Sequence, residues 1–331
     1  MTGIKVGIVT VTYGNRFELL KQVIDRVTGF SNVSDIIIVD NASVYDVKDA
    51  ISNDKVTVLT NSDNRGSAGG YKQGIEYCYN HTAVDFIWLL DDDNLPAYDC
   101  LNKLLTEWDL IKSTPEKKAL FCFRKDRIAH VRIAQGEDPG RYYLVPDNFL
   151  GFSFFRIFIN KFYKARDIIK RHNSFKERVL LPYVPYGGLL MHRNMVTSIG
   201  LPDERFFLYV DDSEYSYRIT QSGGKIWLIP SCEVVDIDKS QGIGYSKRCF
   251  HSQLLDQWNF RTYYHIRNRV YFYKRVAVQN NFVFALNKTL YLAYLHWISI
   301  FSGKQAEFRK LKSAINEGLS GNLGKINTDN F

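Results

Sequence analysis

Three consecutive carboxylates, Asp91, Asp92 and Asp93, follow directly on the apolar run "VDFIWLL". Adjacent negative charges repel, and a divalent cation relieves that repulsion. An all-oxygen donor set suits Mg2+ or Mn2+. In an extended turn alternate side chains share a side, so Asp91 and Asp93 can hold one cation while Asp92 faces elsewhere. A cation held there could bind a diphosphate and neutralise charge as that group departs. An isolated acidic triplet also suits a solvated turn or a helix cap, where Asp and Asn are favoured. Its position, in line with three other polar strand ends, favours the metal.

Those strand ends follow from periodicity. "KVGIVTVTY" has the pattern of a buried strand, and "FELLKQVIDRV" has apolar residues at helical spacing. "DIIIVD" and "KVTVLT" are further strands, the Gly-rich "NRGSAGG" opens a helix, and "VDFIWLL" is the fourth strand. Strands alternating with helices predict a parallel α/β sheet with helices on its faces. Ligands bind such sheets beyond the carboxyl ends of the strands. Polar residues lie at all four ends, at positions 12–15, 40–43, 61–70 and 91–94.

The chain of 331 residues is 45% apolar, which fits a folded protein of one large domain with an appendage, or of two domains. Its net charge of +8 and pI of about 9.0 suit an anionic partner: a nucleotide, a diphospholipid, a membrane surface or a nucleic acid. No nucleic-acid-binding motif is present, which disfavours the last of these. The five scattered cysteines (Cys78, Cys100, Cys122, Cys232 and Cys249) form no CxxC pair, so a reducing, cytoplasmic setting is expected. No signal peptide is evident. The longest apolar stretches, residues 149–155 and 290–301, are too short to span a bilayer, so membrane contact is expected to be peripheral.

The segments "VTVTYGNR", "IIIVDNAS", "NRGSAGGYKQGI", "WLLDDDN" and "FFLYVDDSEYSYR" occur in the order and spacing of inverting family 2 glycosyltransferases of the GT-A fold, and the chain resembles that family over about residues 4–240. The resemblance implies a Rossmann-like, mostly parallel central sheet flanked by helices. It places a GT-A domain at residues 1–240, with a basic-aromatic insertion at about 148–178, and a mainly helical region at 241–331. It implies donor contacts from Thr12, Tyr13, Asp40, Asn64, Arg65, Gly66 and Asp92, and a Mn2+ or Mg2+ site at Asp91 and Asp93. Direct displacement at an anomeric carbon needs a base for the acceptor hydroxyl. The family pattern assigns that role to Asp212, with Asp211, Glu214, Tyr186, Gly187 and Gly188 shaping the acceptor site. Many relatives carry a metal-binding His after the base; here Asp236 stands at about that point, with Asp238 beyond it and His251 a weaker candidate.

The "AGGY" and "LLDDDN" forms most resemble galactofuranosyl- and rhamnosyl-transferring branches, which implies UDP-galactofuranose as donor, or else dTDP-rhamnose. The implied acceptor is a saccharide on a polyprenyl diphosphate, in synthesis of a surface polysaccharide such as an O-antigen. Basic and aromatic residues at 149–171 and 261–275 fit a peripheral membrane surface on the inner face, although core packing suits the second segment better. Two other functions use the same residues differently: a Mg-dependent phosphotransferase or nucleotidyltransferase, and a non-catalytic membrane-associated scaffold.

Overall fold

The structure, a computed structural model, describes residues 3–169, 174–238, 245–246 and 248–326. In chain order the elements are β1 (Val6–Gly14), α1 (Phe17–Thr28), β2 (Val33–Ser43), α2 (Val47–Ala50), β3 (Val56–Asn61), α3 (Gly66–His81), β4 (Phe86–Leu89), β5 (Asn94–Pro96), α4 (Cys100–Leu110), β6 (Lys118–Phe123) and α5 (Ile128–Ala134). There follow α6 (Arg156–Ile169), β7 (Val179–Leu181), β8 (Leu189–His192), α7 (Asn194–Ile199), α8 (Asp211–Gln221), β9 (Lys225–Asp236), α9 (Gln253–Asp256), α10 (Phe260–Val276), α11 (Asn281–Phe301) and α12 (Gln305–Ser320). They form two compact units. The first is Met1–Pro139, Ser174–Glu204 and Asp211–Gln241; the second is Gly140–Asn173, Arg205–Val210 and Gly242–Phe331.

The first unit is built on a sheet of order β3-β2-β1-β4-β8-β6-β9-β5, with β7 also on β9. Strands β3, β2, β1 and β4 are mutually parallel, as their alternation with helices requires. Strand β8 then runs against both β4 and β6, so the second half of the sheet is mixed. The expected helix faces are realised. Leu20, Val23, Ile24 and Val27 of α1 recur at helical spacing and are buried against β1 and β2 residues such as Ile8 and Ile36.

Helix α3 lies unusually close to the sheet. A Cβ on Gly70 would come within 2.6 Å of Val11 Cγ1, and one on Gly74 within 2.5 Å of Val9 Cγ1. The glycines in this helix therefore set its distance from β1, which outweighs their poor helix propensity of about 1 kcal/mol each relative to Ala.

The second unit has its own apolar core, in which Tyr263, Tyr264, Ile266 and Val270 of α10 pack with Leu295 and Ile298 of α11 and Leu311 and Ile315 of α12. The 261–275 segment is thus core rather than surface on its apolar side. Residues 140–173 and 205–210 belong to this unit through specific bonds. Asp147 Oδ1 accepts from the backbone N–H groups of Gln279 and Asn280 at 2.6 and 2.7 Å. The Asn268 amide, fully buried, donates to the carbonyls of Phe206, Leu208 and Tyr209 at 2.8–3.0 Å. Those bonds hold a stretch in which Phe207, Tyr209 and the β-branched Val210 all have positive φ, a costly conformation that persists only when its surroundings enforce it. Of the basic residues expected on the 148–178 insertion, Lys170 and Arg171 fall outside the described residues, as do the side chains of Lys164 and Arg166.

Gly74→Ala tests the close helix–sheet approach. Overpacking of this kind costs about 1–3 kcal/mol, which exceeds the propensity gain. The urea midpoint should fall, whereas an unchanged or raised midpoint would show that α3 can retreat from Val9 freely.

Candidate active site

The four parallel strands of the first unit end on one edge, and the polar residues there are in register. Thr12 on β1 lies opposite Asp40 on β2, which lies opposite Thr60 on β3. Asp40 is buried and its Oδ1 accepts from Ser43 N–H at 2.8 Å, closing the turn that ends β2. Tyr13 is more than one-third exposed, so a face of its ring is accessible. The start of α3 is organised by side-chain amides. Asn64 Oδ1 accepts from Gly66 N–H at 2.7 Å, and Asn41 Oδ1 accepts from Arg65 N–H at 3.0 Å. Gly66 needs its φ of +72° to enter the helix from this turn, and the Arg65 side chain is left exposed beside the helix start.

The acidic triplet sits just beyond β4. Asp91 Oδ1 accepts from Tyr71 Oη at 2.7 Å, and Asp92 Oδ2 from Thr12 Oγ1 at 2.8 Å. Arg16, two residues beyond β1, binds three carboxylates at once. Its Nε donates to Asp92 at 2.9 Å, Nη2 to Asp93 Oδ2 at 2.6 Å and Nη1 to Asp238 Oδ2 at 2.8 Å. Asp236 lies opposite Asn94 in the β5–β9 register, and its Oδ2 accepts from Arg124 Nη2 at 2.7 Å.

These partners do not fully offset the loss of water. Burial, followed for Asp91 by repulsion from Asp92 and Asp212 against the help of Tyr71 and Arg124, raises its pKa to about 6. Burial likewise raises Asp92 to about 6 despite Arg16. Asp93 is raised to about 6 by burial and then by the charges of Asp91 and Asp236. Three carboxylates held against their preference for water lack positive charge.

The residues present fit a hard divalent cation in their chemistry. Every donor near Asp91 and Asp93 is oxygen, and Asn94 Oδ1 is buried with no hydrogen-bond partner among the described residues. Asn94 Oδ1 and Asp91 Oδ2 crowd the same point: a Cβ on Gly187 would meet them at 1.8 and 2.6 Å. Only glycine fits at position 187. Among the described residues no three His, Cys, Asp or Glu side chains converge into a finished cation cage. Asp236 is held in an ion pair by Arg124, and His251 lies in the second unit, 3.0 Å from Asp256.

The second acidic pair opens α8. Asp211 is buried and its Oδ2 accepts from Ser67 Oγ at 2.9 Å. Asp212 is partly exposed, and its Oδ1 accepts from both the N–H and the hydroxyl of Ser213. Burial raises the pKa of Asp212, and burial followed by the Asp212 charge raises that of Asp211. The helix start, with its unpaired N–H groups, moderates the cost of charge there. Glu214 is engaged by Arg218 at 2.7–2.8 Å, and Arg218 also caps the carbonyls of Ile199 and Leu201, so Glu214 serves α8 and the end of α7.

Tyr186 stacks on Tyr71 with ring centroids 4.0 Å apart, and Gly188 N–H donates to Leu89 O at 2.8 Å, fixing the 186–188 loop to the end of β4. The expected residues of the two acidic clusters and of this loop therefore come together. Arg16, Ser67, Tyr71 and Arg124 join them without having been anticipated. Arg16 and Arg124 each follow a strand end, and Ser67 and Tyr71 stand in the Gly-rich stretch, which were the available signals.

Asp91→Asn retains an acceptor for Tyr71 and removes one charge. A raised folded pKa means the fold holds the proton more tightly than the unfolded chain, so Asp91 costs the parent stability as pH rises from about 4 to about 6. The melting temperature of the metal-free variant should gain on that of the parent across this window and then level off. A constant difference at all pH would remove the electrostatic penalty assigned to Asp91.

The family model for glycosyl transferase family 2 matches residues 8–113, which include β1 to β4 and the acidic triplet. Galactofuranosyltransferase GlfT1 of Mycolicibacterium smegmatis is 27% identical over 230 residues, covering 67% of this chain and 68% of that protein. The low-salt glycan biosynthesis hexosyltransferase Agl10 of Haloferax volcanii is 22% identical over 271 residues, covering 80% and 74%. Among solved structures, the mannosyltransferase PcManGT of Pyrobaculum calidifontis, in complex with GDP-Man and Mn2+, matches with a TM-score of 0.54 at 14% identity over 97% of this chain and 76% of its own. GalNAc-T7 with UDP, GalNAc and Mn2+ matches with the same TM-score and identity over 82% of this chain, which spans half of that one. These structures share the fold. Residues 8–113 thus match the glycosyl transferase family 2 model, and the chain is similar to GlfT1-type galactofuranosyltransferases and has the GT-A fold.

Proposed function

We propose that this chain is an inverting, divalent-metal-dependent transferase that moves a sugar, with galactofuranose from its UDP donor as the first choice, onto a saccharide carried by a polyprenyl diphosphate. The observation that carries this reading is the meeting of two carboxylate clusters around α3. Ser67 and Tyr71, one helical turn apart, bind Asp211 of one cluster and Asp91 of the other. A direct displacement needs these two functions near each other, one at the leaving diphosphate and one at the attacking hydroxyl.

Asp91 and Asp93 would hold Mn2+ or Mg2+, with Asp236 able to join them on leaving Arg124. The bound cation would supply positive charge to the departing diphosphate. Thr12, Tyr13 and Asp40 line the strand ends where a uridine would lie. Tyr13 offers an accessible ring face and Asp40 an acceptor for an N–H or hydroxyl. Asn64 and Gly66 shape the start of α3, and Arg65 can reach a phosphate there. Asp92, fixed by Thr12 and Arg16, holds the cluster in place. Asp212 takes the proton of the acceptor hydroxyl, a task suited to a partly exposed carboxylate with a raised pKa. Asp211 and the loop of Tyr186, Gly187 and Gly188 shape the acceptor side. The acceptor's lipid places the enzyme at the inner face of the cell membrane. The 27–28% identity to the GlfT1 proteins favours galactofuranose over rhamnose.

A panel of UDP- and dTDP-sugars with Mn2+ or Mg2+, scored by donor hydrolysis and thermal stabilisation, should give its strongest response with UDP-galactofuranose. A response to dTDP-rhamnose alone would reassign the donor, and silence across the panel would remove the transferase reading of the site. Asp212→Asn should retain metal-dependent donor binding while transfer falls roughly 10²- to 10⁴-fold, the usual contribution of a general base. Asp93→Asn should instead weaken donor binding in the presence of metal. Loss of donor binding in Asp212→Asn would place the base elsewhere.

A further inference from the structure

Helix α11 is apolar nearly all round, yet only one side of it is covered. Phe284, Leu295 and Ile298 face the core of the second unit. On the other side Phe282, Leu290, Tyr294, Trp297, Ile300 and Phe301 are exposed, at spacings of three, four and seven or eight residues along the 21-residue helix. That makes a stripe about 30 Å long. No Asp, Glu, Lys or Arg is exposed along it; Lys288 is half-buried. Isolated exposed apolar residues need no explanation, but a continuous stripe of this length marks a contact surface.

A second stripe is tied to the first. Phe154 N–H donates to Asn287 Oδ1 of α11 at 2.9 Å, and Phe152 stacks on Tyr291 with centroids 5.6 Å apart. From that anchor α6 runs with Phe155, Phe158 and Phe162 exposed at helical spacing, and with Lys161 exposed beside them. No helix among the described residues is long and apolar enough to cross a membrane. Aromatic residues with basic neighbours are instead the composition of a surface that rests in a bilayer interface.

Charge selects the partner. The second unit contains 21 Lys and Arg against six Asp and Glu, a formal net charge of +15, while the first unit carries −7. Two copies meeting through this face would bring two strongly positive units together, whereas an anionic surface would be attracted. We propose that the α11 stripe, with the start of α6, is the face on which this protein docks to an anionic lipid bilayer, the rings entering the interface and the basic residues meeting the headgroups. This deepens the membrane element of the function proposed above by naming the surface that makes the contact.

The full chain should co-sediment with vesicles containing phosphatidylglycerol and bind phosphatidylcholine vesicles weakly, and high salt should reduce the difference. Tyr294→Glu/Trp297→Glu, both on exposed positions, should lower vesicle affinity roughly tenfold or more. Its circular dichroism melt and metal-dependent donor hydrolysis should match the parent. Trp297→Phe, which keeps an aromatic ring, should restore binding when Tyr294 is intact. Unchanged vesicle binding in the double variant would overturn the proposal. So would a parent dimer in light scattering that the variant dissolves, or heparin-like binding that the variant leaves intact, with no preference for lipid. Vesicle binding needs no sugar donor, so its failure and the failure of the transferase reading are separately visible.

Discussion

Like charges brought close together in partial isolation from water are the constraint around which the first unit is arranged. Asp91, Asp92 and Asp93 follow one another without a break, and Asp212 lies near enough to oppose ionisation of Asp91. The protein answers with two arginines and three hydroxyls. Arg16 spreads one guanidinium over three carboxylates, Arg124 takes Asp236, and Thr12, Tyr71 and Ser67 each donate to one acid. The relief is incomplete, since the three acids of the triplet remain above their ordinary range. A buried charge cluster of this kind is unfavourable for stability and is retained where chemistry uses it.

The topology of the sheet follows from the need to bring these groups to one edge. Four parallel strands end together, which delivers Thr12, Asp40, the start of α3 and the triplet. The loop carrying Tyr186, Gly187 and Gly188 must reach the same edge, and β8 therefore starts where its neighbour β4 ends and runs back against it. An antiparallel strand at this position is what lets a fifth loop join the four. Gly187 then completes the fit, because any side chain there would occupy the space between Asn94 and Asp91.

Much of this was legible in the chain. Apolar runs located β1 to β4, helical spacing located α1 and the Gly-rich stretch marked the start of α3, and the polar residues at the strand ends marked the edge. The partners of the acids were not legible, because the bonds join residues 76, 112 and 144 positions apart. Nothing local to Arg16 or Ser67 specifies what it will face. Strand direction was equally hidden: "LLMH" is a buried strand in either orientation, and only its register with β4 and β6 shows that it runs backwards. Asp236 illustrates the same limit. The family resemblance made it a candidate ligand, but nothing in the sequence showed that β6, parallel to β9, brings Arg124 against it.

Helix α3 has a mechanical consequence. It touches one carboxylate of each cluster through hydroxyls a single turn apart, so the two clusters are geared to one shaft. Any axial slip or rotation of the helix would displace both in concert. Glycine contacts with Val9 and Val11 leave the shaft no clearance from the sheet. The spacing of the two carboxylate clusters is thus tied, through Ser67 and Tyr71, to the seating of α3 on the sheet. What play the two clusters have is inherited from the close packing of α3 on β1.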